Sequence, residues 1–145
     1  LPRYGALNLH YSLLPAYRRV YPVNQAIIQG ERETGVTFHW VTSDVDNGPI
    51  LCQKKVSISL ADTARSLQLR MDEMAQSLFE QAIDEIVAKP AVPSNSAMVH
   101  TQSNYYSLKK FKIGNELALD CKMTALEFLN LLRGKTFFPD TPQLY

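Results

Sequence analysis

An α/β fold is what three features of this sequence predict. A run rich in β-branched and aromatic residues, "TGVTFHWV", lies between polar turn segments. Apolar residues recur at three- and four-residue steps between Asp62 and Ala88. A shorter segment opened by Pro22 and closed by Gly30 precedes both. The resulting order of strand, helix, strand, strand and long helix is the alternation that packs helices against a sheet. With 145 residues, 46% hydrophobic and 20% charged, the chain has the size and composition of a domain with its own core.

Each element has a local reason. Ala6 to His10 reads as a short strand after Gly5, and "SLLPAYRRVYP" is a proline-bounded loop. Pro22 suits a first helical position, with Val23, Ala26 and Ile27 on one face and Gly30 as the stop. Val36 to Val41 is the second strand, and the polar loop "TSDVDNGP" leads to a third at Ile50 to Ile58. In the long helix, Leu67, Met71, Met74, Leu78, Ala82 and Ile86 form one apolar face. Ser59 or Asp62 caps its start and Pro90 stops it. Periodicity then disappears until Thr124-x-x-Glu127, a capping box leading into Leu126, Leu129, Leu131 and Leu132, with Gly134 as the stop.

A formal net charge of +1 gives no large field toward nucleic acid or a membrane surface. Cys52 and Cys121 are too few and too far apart for a zinc motif or a disulfide framework, so the expectation is reduced thiols, no metal and a cytoplasmic setting. No apolar run reaches membrane-spanning length. Lys109, Lys110 and Lys112 alternate with Tyr105, Tyr106 and Phe111, which reads either as a solvated basic edge or as a phosphate contact.

The polar residues of "LNLHYSLLP" carry the chemistry. Residues two apart on a strand share a face, so Asn8 and His10 set an amide and an imidazole about 6.5–7 Å apart. An unpaired polar side chain in a core costs about 1–3 kcal/mol. The pair is therefore either a hydrogen-bonded structural feature or the wall of a cleft. Asp46, in a loop of Asp, Asn, Gly and Pro, is by itself a turn residue. With Asn8 and His10 it completes a set able to stabilise an oxyanion and move protons. Ser12 lacks a nucleophile-elbow context, His39 and Trp40 read as packed strand residues, and His100 as solvated.

Asn8-Leu-His10 followed by Ser12-Leu13-Leu14-Pro15, Tyr17-Arg18 through Pro22, Gly30 to His39, and Asp46-Asn47-Gly48 together resemble the signature of folate-dependent formyltransferases. The resemblance implies a Rossmann-like formyltransferase fold, with this chain supplying the C-terminal part of the sheet and flanking helices. It divides the chain into residues 1–89 as the C-terminal half of a catalytic domain, 90–107 as a linker, and 108–145 as a helix-containing segment leading toward a further domain. It implies transfer of a formyl group from 10-formyltetrahydrofolate to an amine, on methionyl-tRNA or a nucleotide-linked amino sugar. By position, Asn8, His10 and Asp46 become catalytic. Val41, Thr42, Ser43, Asp44 and Val45 become the donor-binding loop, and Ser12, Leu13, Leu14, Pro15 and Arg18 shape the cleft. A protonated His10, its pKa raised by Asp46, is expected to add charge at the formyl oxygen. A homodimer is compatible with the pattern.

Two departures shape the expectations. Arg19 stands where the resemblance implies glycine, and the family's first set of strands and helices is expected before Leu1. These departures keep open a non-catalytic formyltransferase-like module. Water in place of the amine would make the reaction hydrolysis of the donor.

Overall fold

A computed structural model describes residues 5–88 and 122–136. The described elements are β1 (Leu7–His10), α1 (Pro22–Ile28), β2 (Glu33–Trp40), β3 (Ile50–Ser57), α2 (Ala64–Ala88) and α3 (Ala125–Lys135). The three strands form one antiparallel sheet in the order β1-β2-β3. Antiparallel neighbours can be joined by short loops, and residues 41–49 join β2 to β3. The linker expected at 90–107 and the lysines at 109, 110 and 112 lie outside the described residues.

Register decides what each sheet face carries. Asn8 pairs with His39 and His10 with Thr37, while Leu9 pairs with Phe38 and Leu7 with Trp40. Alternation therefore sends Asn8, His10, Thr37 and His39 to one face, and Leu9 and Phe38 to the other. On the apolar face, Val36, Phe38, Cys52 and Val56 pack with Leu67, Met71, Leu78 and Ala82 of α2. Full burial of residues such as Leu67 and Met71 contributes about 1.5–3 kcal/mol each. The long apolar stripe, including Met71 and a partly buried Met74, is thus core.

Helix ends show where local signals hold and where packing overrides them. α1 begins at Pro22 after Tyr21 in a left-handed conformation. At the start of α2 the cap is Thr63, rather than the expected Ser59 or Asp62. Thr63 Oγ1 accepts from the Ser66 N–H at 3.2 Å, and Ser66 Oγ accepts from the Thr63 N–H at 2.9 Å. Asp62 instead closes the preceding turn, accepting from the Ser59 N–H at 2.8 Å and pairing with Arg70 at 2.7 Å. Burial pushes the Asp62 carboxyl up, but the Ser59 N–H, Arg70 and Ser66 together hold it below its ordinary value.

α3 carries the expected capping box at Thr124 and Glu127. Gly134, expected as its stop, lies inside the helix, and its role is close approach. A Cβ there would stand 2.5 Å from Ile28 Cγ1 and 2.9 Å from the Asn24 carbonyl. Asn24 Nδ2 donates to the Gly134 carbonyl at 2.7 Å across this contact between α1 and α3. Buried Arg133 donates to the Ser59 and Asp62 carbonyls at 2.8 and 3.0 Å. The helix thus docks through Asn130, Arg133 and Gly134, while Leu126 and Leu129 are exposed.

Candidate active site

The polar sheet face is roofed by residues 11–20, and one hydroxyl holds the roof in place. Thr37, fully buried, donates to the Ser12 carbonyl at 2.6 Å. The same oxygen accepts from the Leu14 N–H at 3.3 Å and from Gln53 Nε2 at 2.9 Å. Gln53, opposite Thr37 in the register, also donates to the Leu14 carbonyl at 2.9 Å. The run from Ser12 to Pro15 is therefore stitched to β2 and β3 by polar bonds rather than by apolar packing alone. Leu14 is buried, and Leu13 lies over Gly35. Ser12 Oγ donates within its own turn to the Ala16 carbonyl at 2.6 Å, so its hydroxyl is occupied structurally.

Holding this loop down places the Tyr17 carbonyl against His10. His10 Nε2 donates to it at 2.9 Å, which leaves Nδ1 as the basic nitrogen of the neutral ring. Nδ1 faces Asp46 Oδ2 at 3.7 Å, beyond direct hydrogen-bond length but within strong electrostatic reach. His39 is set by the same logic. Its Nδ1 donates to the Trp40 carbonyl at 3.0 Å, so the neutral ring presents a bare Nε2. Asn8 Nδ2 donates to that nitrogen at 3.1 Å and to Asp46 Oδ1 at 3.3 Å. His39 thereby orients the Asn8 amide, a part beyond the packed strand residue expected of it.

Asp46 reaches the centre from the loop after β2. Gly48 makes that loop possible, because a Cβ there would fall 1.6 Å from the Trp40 carbonyl oxygen. Asp46 Oδ2 accepts from the Arg19 N–H at 2.8 Å, and Arg18 Nη1 donates to Asn47 Oδ1 at 2.9 Å. These two bonds tie the roof loop to the carboxylate loop. Asn8 and His10 of β1 and Asp46 of the loop after β2 therefore lie together at one point. The residues at 41–45 form the exposed outer part of the same loop. Thr42 Oγ1 donates to the Asp44 carbonyl at 3.1 Å, and Asn47 Nδ2 donates to Asp44 Oδ2 at 3.5 Å.

The electrostatics correct one expectation. Burial pulls the His10 pKa below its ordinary 6.5, and the nearby Asp46 charge and the bond to Tyr17 do not offset it. His10 is therefore neutral at pH 7 rather than standing protonated. Burial pushes the Asp46 carboxyl up, but His39, His10 and the Arg19 N–H together hold it below the usual carboxylate value. The centre thus joins an ionised carboxylate, a neutral imidazole and an oriented amide.

Backbone strain gathers in the same place. Among the described residues, the non-glycine positions with positive φ are Tyr17 at 53°, Arg19 at 80°, Tyr21 at 53° and Asp46 at 50°. Each such left-handed residue costs roughly 1–2 kcal/mol, and all four belong to the two loops that meet at the site. No group of three or more His, Cys, Asp or Glu able to hold a metal ion occurs among the described residues. No described helix is long and apolar enough to cross a membrane.

Known proteins are similar to this chain in both sequence and fold. The formyl transferase family model matches residues 1–83. The methionyl-tRNA formyltransferase of Thermosynechococcus vestitus is 34% identical over 139 residues, which are 96% of this chain and 39% of that protein. The enzyme of the same name from Alkaliphilus oremlandii is 31% identical over 147 residues, covering 100% of this chain and 45% of its own. Among solved structures, the N-formyltransferase of Helicobacter canadensis in complex with folinic acid and dTDP-3-aminofucose superposes with a TM-score of 0.80 and 30% identity. That match covers 90% of this chain and 47% of the other. A sugar 3N-formyl transferase solved with dTDP and 5-N-formyl-THF gives 0.79 and 29%. This chain therefore spans less than half the length of these relatives.

Proposed function

This chain belongs to the formyl transferase family, and from that premise we propose that it transfers a formyl group from 10-formyltetrahydrofolate to an amine. The observation that carries the proposal is the convergence of Asn8, His10 and Asp46 on one strained, polar-roofed sheet face. The acceptor amine belongs to methionyl-tRNA or to a nucleotide-linked amino sugar. The two sets of relatives support these in turn.

The chemistry follows from the groups present. The amine attacks the formyl carbon, the bond from that carbon to N10 breaks, and one amine proton ends on N10. Charge gathers on the formyl oxygen in between. Asn8 Nδ2 can exchange its long 3.3 Å bond to Asp46 for that oxygen while His39 keeps the amide in line. A pre-positioned donor of this kind contributes about 2.7–4 kcal/mol to the barrier difference. His10, neutral at the start, takes the amine proton on Nδ1, where the Asp46 carboxylate stabilises the imidazolium that forms. The exposed loop at 41–45 supplies backbone groups for the pterin ring of the donor, and Ser12, Leu13, Leu14, Pro15 and Arg18 shape the adjoining cleft.

The test uses the intact protein, donor and acceptor, with formylated product read by mass. Asn8→Ala and His10→Ala should each lower the transfer rate by at least about a hundredfold. Near-normal rates in either would reject its role. Formate released equally well without an amine would replace transfer by hydrolysis.

A further inference from the structure

The imidazole at the centre stands between two competing partners. His10 Nδ1 faces the Asp46 carboxylate at 3.7 Å, and a carboxylate there favours a proton on that nitrogen. The Tyr17 carbonyl, 2.9 Å from Nε2, can only accept, so it favours the proton on Nε2. A neutral ring carries one proton, and the carbonyl's hold on it leaves Nδ1 bare to take the proton of the amine. Whatever fixes the Tyr17 carbonyl therefore fixes the base.

Tyr17 is held in place by its own side chain. Its φ of 53° is left-handed, a conformation that a residue with a Cβ keeps only where its surroundings impose it. Thr37 and Gln53 grip the loop upstream of it, at Ser12 and Leu14. Tyr17 itself is buried, and its hydroxyl donates to Glu31 Oε1 at 2.5 Å, the length of a charge-assisted bond to a carboxylate. Glu31 in turn stands where the end of α1 puts it. The Gly30 N–H reaches the Ile27 carbonyl and the Glu31 N–H the Ala26 carbonyl, both at 2.9 Å, with Gly30 at φ 73°. This pair of bonds is the Schellman closure of a helix, and it ties the Glu31 backbone to the buried residues of α1. Glu31 is exposed, so core packing does not call for a carboxylate there.

We infer that Glu31 is a positioning residue for the transfer: by holding the Tyr17 hydroxyl it keeps the Tyr17 carbonyl on His10 Nε2 and leaves His10 Nδ1 free as the base. The inference rests on the formyl-transfer reading and adds to that site a residue from the end of α1.

The test uses the intact protein with 10-formyltetrahydrofolate and, in separate arms, dTDP-3-aminofucose and methionyl-tRNA. E31A leaves the core intact because Glu31 is exposed, and Y17F removes only the hydroxyl. Each should lower kcat about tenfold, as loss of a bond to a charged group requires, with donor and acceptor KM within about twofold of wild type. E31Q, which still accepts the hydroxyl, should recover much of the loss. Y17F/E31A should be no slower than the slower single variant, because both changes remove one bond. Ring-nitrogen NMR shifts of His10 at pH 7 supply a readout that a merely structural role would not move. Wild type should carry its proton on Nε2, and Y17F and E31A should shift part of it to Nδ1. Losses that multiply in the double variant, a kcat of E31A within about twofold of wild type, or an unchanged His10 tautomer in both single variants would each overturn the assignment. Absence of transfer by wild type in both arms would instead overturn the formyl-transfer reading, and the tautomer comparison would still decide the tie from Glu31 to His10.

Discussion

The two faces of the β1–β2 pair are built from alternating residues of the same short strands, yet they work by different physics. One face holds Leu9 and Phe38 against α2 and continues into a groove of about 450 Å³ lined by Leu9, Tyr11, Phe38, Asp72, Ala75, Gln76 and Phe79. Its stability comes from area removed from water. The other holds Asn8, His10, Thr37 and His39 under a loop fastened by hydrogen bonds. There, directional bonds substitute for apolar area, and the cost of burying polar groups is offset only while every bond is made. Even the groove's polar rim follows this rule. Tyr11 donates to Asp72 at 2.6 Å, and burial followed by that carboxylate pushes the phenol up to about 12.

Adjacent residues allow the sharpest break between the two faces. Phe38→Ala removes a ring from the core and should cost about 3–5 kcal/mol of stability. Thr37→Val keeps the shape but strips the oxygen that holds Ser12, Leu14 and Gln53. It should cost less, about 1–3 kcal/mol, yet depress transfer by displacing the Tyr17 carbonyl from His10. Chemical denaturation paired with product assays separates these outcomes. Equal activity per folded molecule in both variants would show that the roof loop does not position the imidazole.

A smaller effect should appear with pH. The folded His10 pKa lies below 6.5, so the folded state binds fewer protons than the unfolded chain just below that value. Its stability contribution is full above pH 6.5 and is lost as pH falls through the lowered pKa. Transfer that uses neutral His10 as base should likewise hold steady near pH 7 and decline only on the acid side of 6.5. Asp46→Asn should move that acid limb to still lower pH, since it removes the carboxylate that favours the imidazolium. A limb centred above 6.5 would contradict a neutral imidazole. The smallest expected change lies away from both faces. Thr124→Ala should cost about 1 kcal/mol through the lost cap of α3, read as a lower thermal midpoint with transfer per folded molecule retained.

Much of the fold was legible because its signals are local. Pro22 at the start of α1, the stripe from Leu67 to Ala82, and the Thr124–Glu127 capping box each act within a few residues. The ends were read less well. Ser66 decided between Thr63 and its neighbours as the cap of α2, and Ile28 decided why Gly134 is glycine. For the site, Asn8, His10 and Asp46 stood out as polar groups where aliphatic or turn residues suffice. Thr37, His39 and Gln53 did not, although they share the polar side of the sheet register with Asn8 and His10. A buried threonine or glutamine on a strand carries no local mark of the bonds it makes.

The sequence by itself determined which segments are helices and strands, and which side chains could do acyl-transfer chemistry, since those depend on spacing and residue type. Tertiary structure alone decided that Thr37 anchors a loop 23 to 25 residues away in sequence, that His39 turns the Asn8 amide, and that burial keeps His10 neutral. Those properties arise where segments far apart in the chain exclude water together, and desolvation belongs to the assembled surroundings rather than to any one residue.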